Sequence, residues 1–277
     1  MKLIKCIHYD SKCYKTKGGS SAKKPPNPVG IVVHSTGVNN PSLARYVQPS
    51  KSDPEYKNLL AVIGKNKYGN SWNRGVSKST HYMIGKLADG SVATAQMLPE
   101  DISAWGVGRG KKGSYNYDPT MHIQFEICED NLKDSDYFWS VYREAVELCA
   151  DICKRYGWSE SVIVSHHECY KKGYGSNHGD IDHWLKKYGL TMNDFRAEVK
   201  RILEPDKPIT PIAVGDKVDF IGTKQWSNSG KSTLLFKKAK PCVATVKQIY
   251  KPNSSKHPYL IKGSGVYGWV NKEDVVR

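Results

Sequence analysis

Three prolines fall within the eight residues Glu204-Pro205-Asp206-Lys207-Pro208-Ile209-Thr210-Pro211. Proline fixes φ and lacks a backbone donor, so neither a helix nor a central strand passes through such a stretch. The chain must therefore fold as two bodies, and its texture agrees. Before the break lie β-branched runs and one long amphipathic period. After it lie short strands and turns with no helical period. The expected organisation is an α/β domain over 1–203, opened by an irregular basic arm at 1–28. A Pro-rich linker at 204–212 and a small all-β module at 213–277 complete the chain.

The 277 residues suffice for one medium domain and one small one. Lys and Arg number 42 against 27 Asp and Glu, a formal charge of +15. Such an excess favours a polyanionic partner, and the module after the linker carries about half of it. Nothing reads as an RNA- or DNA-binding module, so nucleic acid is not the expected partner. No apolar run is long enough to span a bilayer, so stable membrane insertion is not expected. The opening MKLIKCIHYD is interrupted by Lys5 and His8 and does not resemble a signal peptide, so synthesis is expected in the cytoplasm. The seven cysteines are odd in number, scattered and without a CxxC pair, which points to reduced thiols.

Gly30-Ile31-Val32-Val33-His34 reads as a buried strand that delivers His34 at its end. Thr80 to Gly85 and Ser91 to Met97 form a strand pair around the turn signal Asp89-Gly90. Trp105 follows in a glycine-rich loop long enough to line a cleft. The strand His122 to Glu129 alternates, placing His122, Gln124, Glu126 and Cys128 on one face and Ile123, Phe125 and Ile127 on the other. An amphipathic helix is predicted over 137–156 and ends at Gly157; a second spans 192–203. Between them a short strand ending at His166 opens into a histidine-rich loop, SHHECYKKGYGSNHGDIDH.

Those residues suggest chemistry. A catalytic zinc takes three protein ligands and keeps one position open, and His34, His166 and Asp180 supply a His, His, Asp set. His167 competes with His166, and Asp182 and His183 compete with Asp180; spacing alone leaves both choices open. Glu126 is the natural general acid/base, and His178 is placed to hydrogen-bond a developing oxyanion.

VVHSTG, HYMIG, IQFEICED and SHHE followed by SNHGD resemble the type-2 N-acetylmuramoyl-L-alanine amidases, which share a fold with peptidoglycan recognition proteins; the nearest likeness is to Gram-positive endolysins and autolysins. The resemblance covers roughly residues 25 to 203. It implies a Zn2+ hydrolase whose mixed central sheet is covered by helices. Its substrate would be bacterial peptidoglycan, cut at the amide between N-acetylmuramic acid and the L-alanine of the stem peptide. Family ligands fall on His34, His166 and Asp180, the acid/base on Glu126, and the position two before the third ligand on His178. His81 becomes a cleft residue and Trp105 a substrate contact, although many relatives carry a His where this chain has Gly106. VGDKV and VYGWV in the last module resemble bacterial SH3-like barrels that bind cell wall, with Trp226, in a polar loop, as the contact. Release through holin-type membrane holes would then bring the enzyme to the wall. The alternative is a protein of the same fold that recognises muropeptide without cutting it.

Overall fold

In the computed structural model, the described residues are 1–16, 27–68, 78–205, 212–230, 236–252 and 254–276. Part of the basic arm, most of the polar loop after residue 65 and most of the Pro-rich linker lie outside them. The chain separates into two units, Met1–Glu204 and Pro205–Arg277.

The first unit is built on six strands: β1 (Leu3–Lys5), β2 (Ile31–Asn39), β3 (Tyr82–Lys86), β4 (Val92–Gln96), β5 (Ile123–Glu129) and β6 (Ile163–Ser165). Their order is β1-β4-β3-β5-β2-β6. Only the β3–β4 hairpin is antiparallel, so the sheet is mixed. Helices α1 (Lys12–Lys15), α2 (Tyr56–Ile63), α3 (Ser135–Tyr156), α4 (His166–Lys172), α5 (Asp182–Lys187) and α6 (Met192–Leu203) complete the unit.

The helix α3 forms because its apolar residues repeat every three or four positions and both ends are capped. The Asp134 carboxylate accepts from the backbone N–H of Asp136 and Tyr137, and Gly157 closes the helix at φ 68°, a left-handed conformation that glycine adopts without strain. Its buried stripe, including Phe138, Val141, Ala145, Leu148 and Ile152, packs with α5 and α6 against Ile31, Val33, Phe125 and Ile127 of the sheet. Each of the larger of these side chains contributes roughly 1.5–3 kcal/mol on burial, and Ala145 less. Because strand side chains alternate, this packing sends Val32, His34, Gln124 and Glu126 to the opposite face. A second apolar cluster there, with Leu43, Val47, Ile63 and Met83, supports the far end of the sheet.

Three expectations are corrected. The arm at 1–28 is not irregular throughout: β1 pairs in parallel with β4, and Cys6, Ile7 and Cys13 are buried. The apolar Leu3-Ile4 pair suffices for an edge strand although Lys5 shortens it. The histidine-rich stretch is not one loop, since it contains α4 and α5. His166 accordingly opens a helix instead of ending a strand; Ser165 and Glu168 form a reciprocal capping box at its start. All seven cysteines are free thiols, as their scatter suggested.

The second unit is all-β: β7 (Lys217–Phe220), β8 (Lys224–Trp226), β9 (Phe236–Lys238), β10 (Cys242–Ile249), β11 (Tyr259–Gly263), β12 (Tyr267–Val270) and β13 (Val275–Val276). They form one antiparallel sheet, ordered β13-β7-β10-β11-β12-β8-β9, around a core that includes Val218, Phe220, Val246, Ile261 and Val270. Trp226 lies on strand β8, not in a loop, opposite Trp269 of β12. Its ring stacks on His257 at 3.8 Å. Among the described residues of the chain, no helix is long and apolar enough to cross a membrane.

Candidate metal centre

The parallel register of β2 and β5 sets the site. Val32 lies beside Gln124 and His34 beside Glu126, so one sheet face carries the ligand, an amide and a carboxylate on neighbouring rungs. The start of α4 adds His166, and the segment before α5 adds Asp180. The three ligand atoms close a triangle: His34 Nδ1 to His166 Nδ1 is 3.0 Å, His34 Nδ1 to Asp180 Oδ2 is 3.2 Å and His166 Nδ1 to Asp180 Oδ2 is 3.4 Å. A tetrahedral metal bound at about 2.0–2.1 Å has ligand–ligand edges of roughly 3.3 Å, so the set fits a small tetrahedral cation. Both histidines are buried, and Asp180 is nearly so.

Backbone groups decide which ring nitrogen faces the centre. The Val107 N–H donates to Asn116 Oδ1 (3.2 Å), which also accepts from Gln124 Nε2 (2.9 Å). Gln124 must therefore turn its oxygen to His34, whose Nε2–H donates to Oε1 at 3.2 Å. The Val107 carbonyl accepts the Ser176 hydroxyl at 3.0 Å, leaving Ser176 Oγ to accept from His166 Nε2–H at 3.2 Å. Each ring has thus spent its single proton outward, and each Nδ1 presents a lone pair inward. Burial pushes the His34 pKa below its usual range, which keeps that ring neutral. Two lone pairs and a carboxylate oxygen crowded together without a donor between them are the chemistry of a cation site. Gln124, Asn116, Ser176 and Val107 were not singled out in the sequence. For Gln124 the alternation of β5 was a usable signal; for the others none exists. A Cβ at Gly106 would sit 2.3 Å from Gln124 Oε1, so the glycine that departs from many relatives is needed to seat this amide.

Glu126 has one oxygen, Oε2, shielded from solvent and without a hydrogen-bond partner among the described residues. Burial raises its pKa well above the carboxylate norm, and the charges of Asp180 and Glu129 add to the effect. A carboxylate whose proton affinity is raised is a stronger proton acceptor than a surface glutamate. His178 stacks on His166 with ring centroids 4.7 Å apart, is 61% exposed, and holds Nδ1 3.8 Å from Asp180 Oδ1. It stands at the solvent side of the cluster. Of the rival ligands, His183 turns away to Glu129, Nε2 to Oε1 at 3.1 Å, and Glu129 also accepts from Ser35 at 2.5 Å. His167 and Asp182 are not in the triangle.

His81 is a correction. It is wholly buried, its Nδ1 accepting from the Gln124 backbone N–H at 2.9 Å and its Nε2 meeting the Ile102 carbonyl at 2.9 Å, so it has no face for a substrate. Trp105, half-buried, lines a cavity together with Asn116 of the relay to His34, with Lys12 Nζ 5.9 Å from its ring centroid.

Burial lowers the pKa of both His81 and His122 to about 4. Their unfolded values lie near 6.5, so between about pH 6.5 and 4 the unfolded chain binds the extra protons. The stability contribution is present above pH 6.5 and is lost as pH falls through 4, up to about 3 kcal/mol per residue. Denaturant unfolding at pH 7 and pH 4.5 should therefore show a steeper loss for wild type than for His122→Gln; parallel losses would refute the assignment.

With this geometry in hand, comparison places the chain. A family model described as N-acetylmuramoyl-L-alanine amidase matches residues 24–180, more than half of the chain, and the protein belongs to that family. It is by class a peptidoglycan amidase, and His34, Glu126, His166, His178 and Asp180 all lie within the matched span. Among solved structures it is similar to the Staphylococcus aureus hydrolase AmiA in complex with its ligand, at 14% identity over 73% of this chain and 82% of that one, TM-score 0.45. It is similar also to PlyL, at 16% identity over 72% of this chain and 96% of that chain, TM-score 0.41. The PlyG catalytic domain matches at 19% identity over 77% of this chain and all (100%) of that one, TM-score 0.43. No curated protein sequence matches.

Proposed function

We propose that the protein is a zinc-dependent N-acetylmuramoyl-L-alanine amidase, cutting the amide between the lactyl group of N-acetylmuramic acid and the L-alanine of the stem peptide. The observation that carries this reading is the inward triangle of His34 Nδ1, His166 Nδ1 and Asp180 Oδ2, with Glu126 one strand away. Zinc held by those three residues would supply Lewis acidity to the water and to the scissile carbonyl. Glu126, half-buried and with a raised proton affinity, takes the proton of the attacking water and returns it to the departing amine nitrogen. His178, exposed beside the ligands, hydrogen-bonds the oxygen on which negative charge develops. Gln124 and Ser176 hold the two imidazoles in the required tautomer.

In the same reading the second unit is an SH3-like wall-binding module. Trp226, braced by His257, offers an aromatic contact for wall peptide or glycan, and the basic surroundings favour an anionic wall. Trp105 serves the amidase unit in the same manner.

Dialysis against a chelator is expected to abolish the loss of turbidity in a suspension of purified walls, and added Zn2+ to restore it. Mass spectrometry of the digest should show new L-alanine amino termini and no new reducing sugar. Undiminished lysis after complete metal removal would rule the mechanism out.

A further inference from the structure

A cavity of about 800 Å3 lies beside the groups that orient the two imidazoles, with Asn116 and Gly108, the neighbour of Ser176, in its lining, and apart from Trp105 it has no part in the reading above. Trp105, Tyr117 and Tyr174 give it aromatic walls, Arg109 and Lys112 give it cations, and Asn116 belongs both to its lining and to the relay that orients His34. Its size suits a substrate fragment.

The cavity is built, not improvised from a loose loop. A backbone bridge between Gly110 and Gly113 makes a tight turn that carries Lys112, and Arg109 directly precedes it. The Lys112 N–H donates to the Gly173 carbonyl at 2.8 Å and the Tyr115 N–H to the Tyr174 carbonyl at 3.0 Å, which dock this turn on the end of α4. Tyr115 stacks between His122 and Tyr174 at 3.8 and 4.8 Å. Ser114 and Asn116, both buried, fasten the loop to Gly108 and Val107 from within.

Among the described residues neither Arg109 nor Lys112 is in an ion pair, although Arg155, Arg196 and Arg201 each hold a carboxylate. Asp118 is the one acidic residue described in the lining. Two exposed cations outside any ion pair, one on the fixed turn and one at its entrance, beside aromatic walls, select a ligand with an apolar body and a carboxylate.

We propose that this cavity is a substrate subsite that reads a free carboxylate on the stem peptide, so that the enzyme prefers wall whose stem carboxylates are not amidated. The proposal rests on the reading of the metal centre as the place of amide cleavage. A charge-assisted contact of this kind corresponds to roughly a 10- to 100-fold preference.

The test uses two soluble N-acetylmuramoyl tripeptides, one with free carboxylates and one with all of them amidated, and the full-length protein. KM and kcat are measured from amine release, and dissociation constants by calorimetry. Wild type should show a KM at least about tenfold lower for the carboxylate form. Arg109→Gln and Lys112→Gln should each shrink that ratio, and the double variant should bring it near unity. Lys154→Gln, which removes an exposed charge on α3, should keep the wild-type ratio. Equal KM values in wild type, or a ratio untouched by the double variant, would overturn the subsite. If wild type cleaves neither compound, the amidase reading fails instead, and the ratio of dissociation constants still decides the subsite.

Discussion

Glu126→Gln is expected to yield a folded protein that retains its metal and turns over wall some 10^2- to 10^4-fold more slowly. The replacement keeps the shape of the side chain and removes its ability to accept a proton. Folding should not suffer, because Oε2 has no hydrogen-bond partner to lose among the described residues. Removing an acid whose ionisation burial opposes is expected to leave stability unchanged or slightly improved. Amine release on purified wall, together with metal content of the purified variant, separates these effects. Retention of more than about a tenth of wild-type turnover would contradict the general-base role.

Trp184→Ala tests how far the site depends on packing. Trp184 is fully buried on α5, with its ring centroid 5.4 Å from Phe138 and 6.3 Å from Tyr137 of α3. Emptying that position should cost about 3–5 kcal/mol, read as a lower denaturant midpoint. Because α5 starts two residues after Asp180, the ligand should be held less firmly as well. Competition with a chromogenic chelator is therefore expected to show weaker metal binding, while Trp184→Phe falls between the two. A normal midpoint in the alanine variant would mean that α5 is not locked by this side chain.

Much of the architecture was legible because it rests on short-range signals. The β-branched run before His34, the alternation in β5 and the three- and four-residue spacing in α3 each correspond to an observed element. The helix α4 escaped because its charged and histidine-rich residues give no apolar stripe; the Ser165…Glu168 capping box was the cue available. In β1 only three residues pair, too few to stand out beside neighbouring lysines. The cluster of His34, His166 and Asp180 was visible through histidines and carboxylates at informative spacing, though the sequence alone left Asp182 and His183 as competitors. Only the fold shows that His183 spends its ring on Glu129. Trp226 was misplaced in a loop because Lys224-Gln225-Trp226 lacks β-branched residues, yet the neighbouring strand β12 recruits it. Asn116 and Ser176 act through amide and hydroxyl groups that occur everywhere in proteins, so nothing in their type marks them.

The peptide groups of Val107 orient both imidazoles, one through its N–H and the other through its carbonyl. Short of proline, which lacks the N–H, no side-chain replacement erases either group. An alanine scan would report Val107 as a piece of packing and would overlook the residue on which the polarity of both ligands depends. The dependence would surface on exchanging an amide for an ester in the main chain, on a proline at this position, or on an insertion that moves this stretch of backbone.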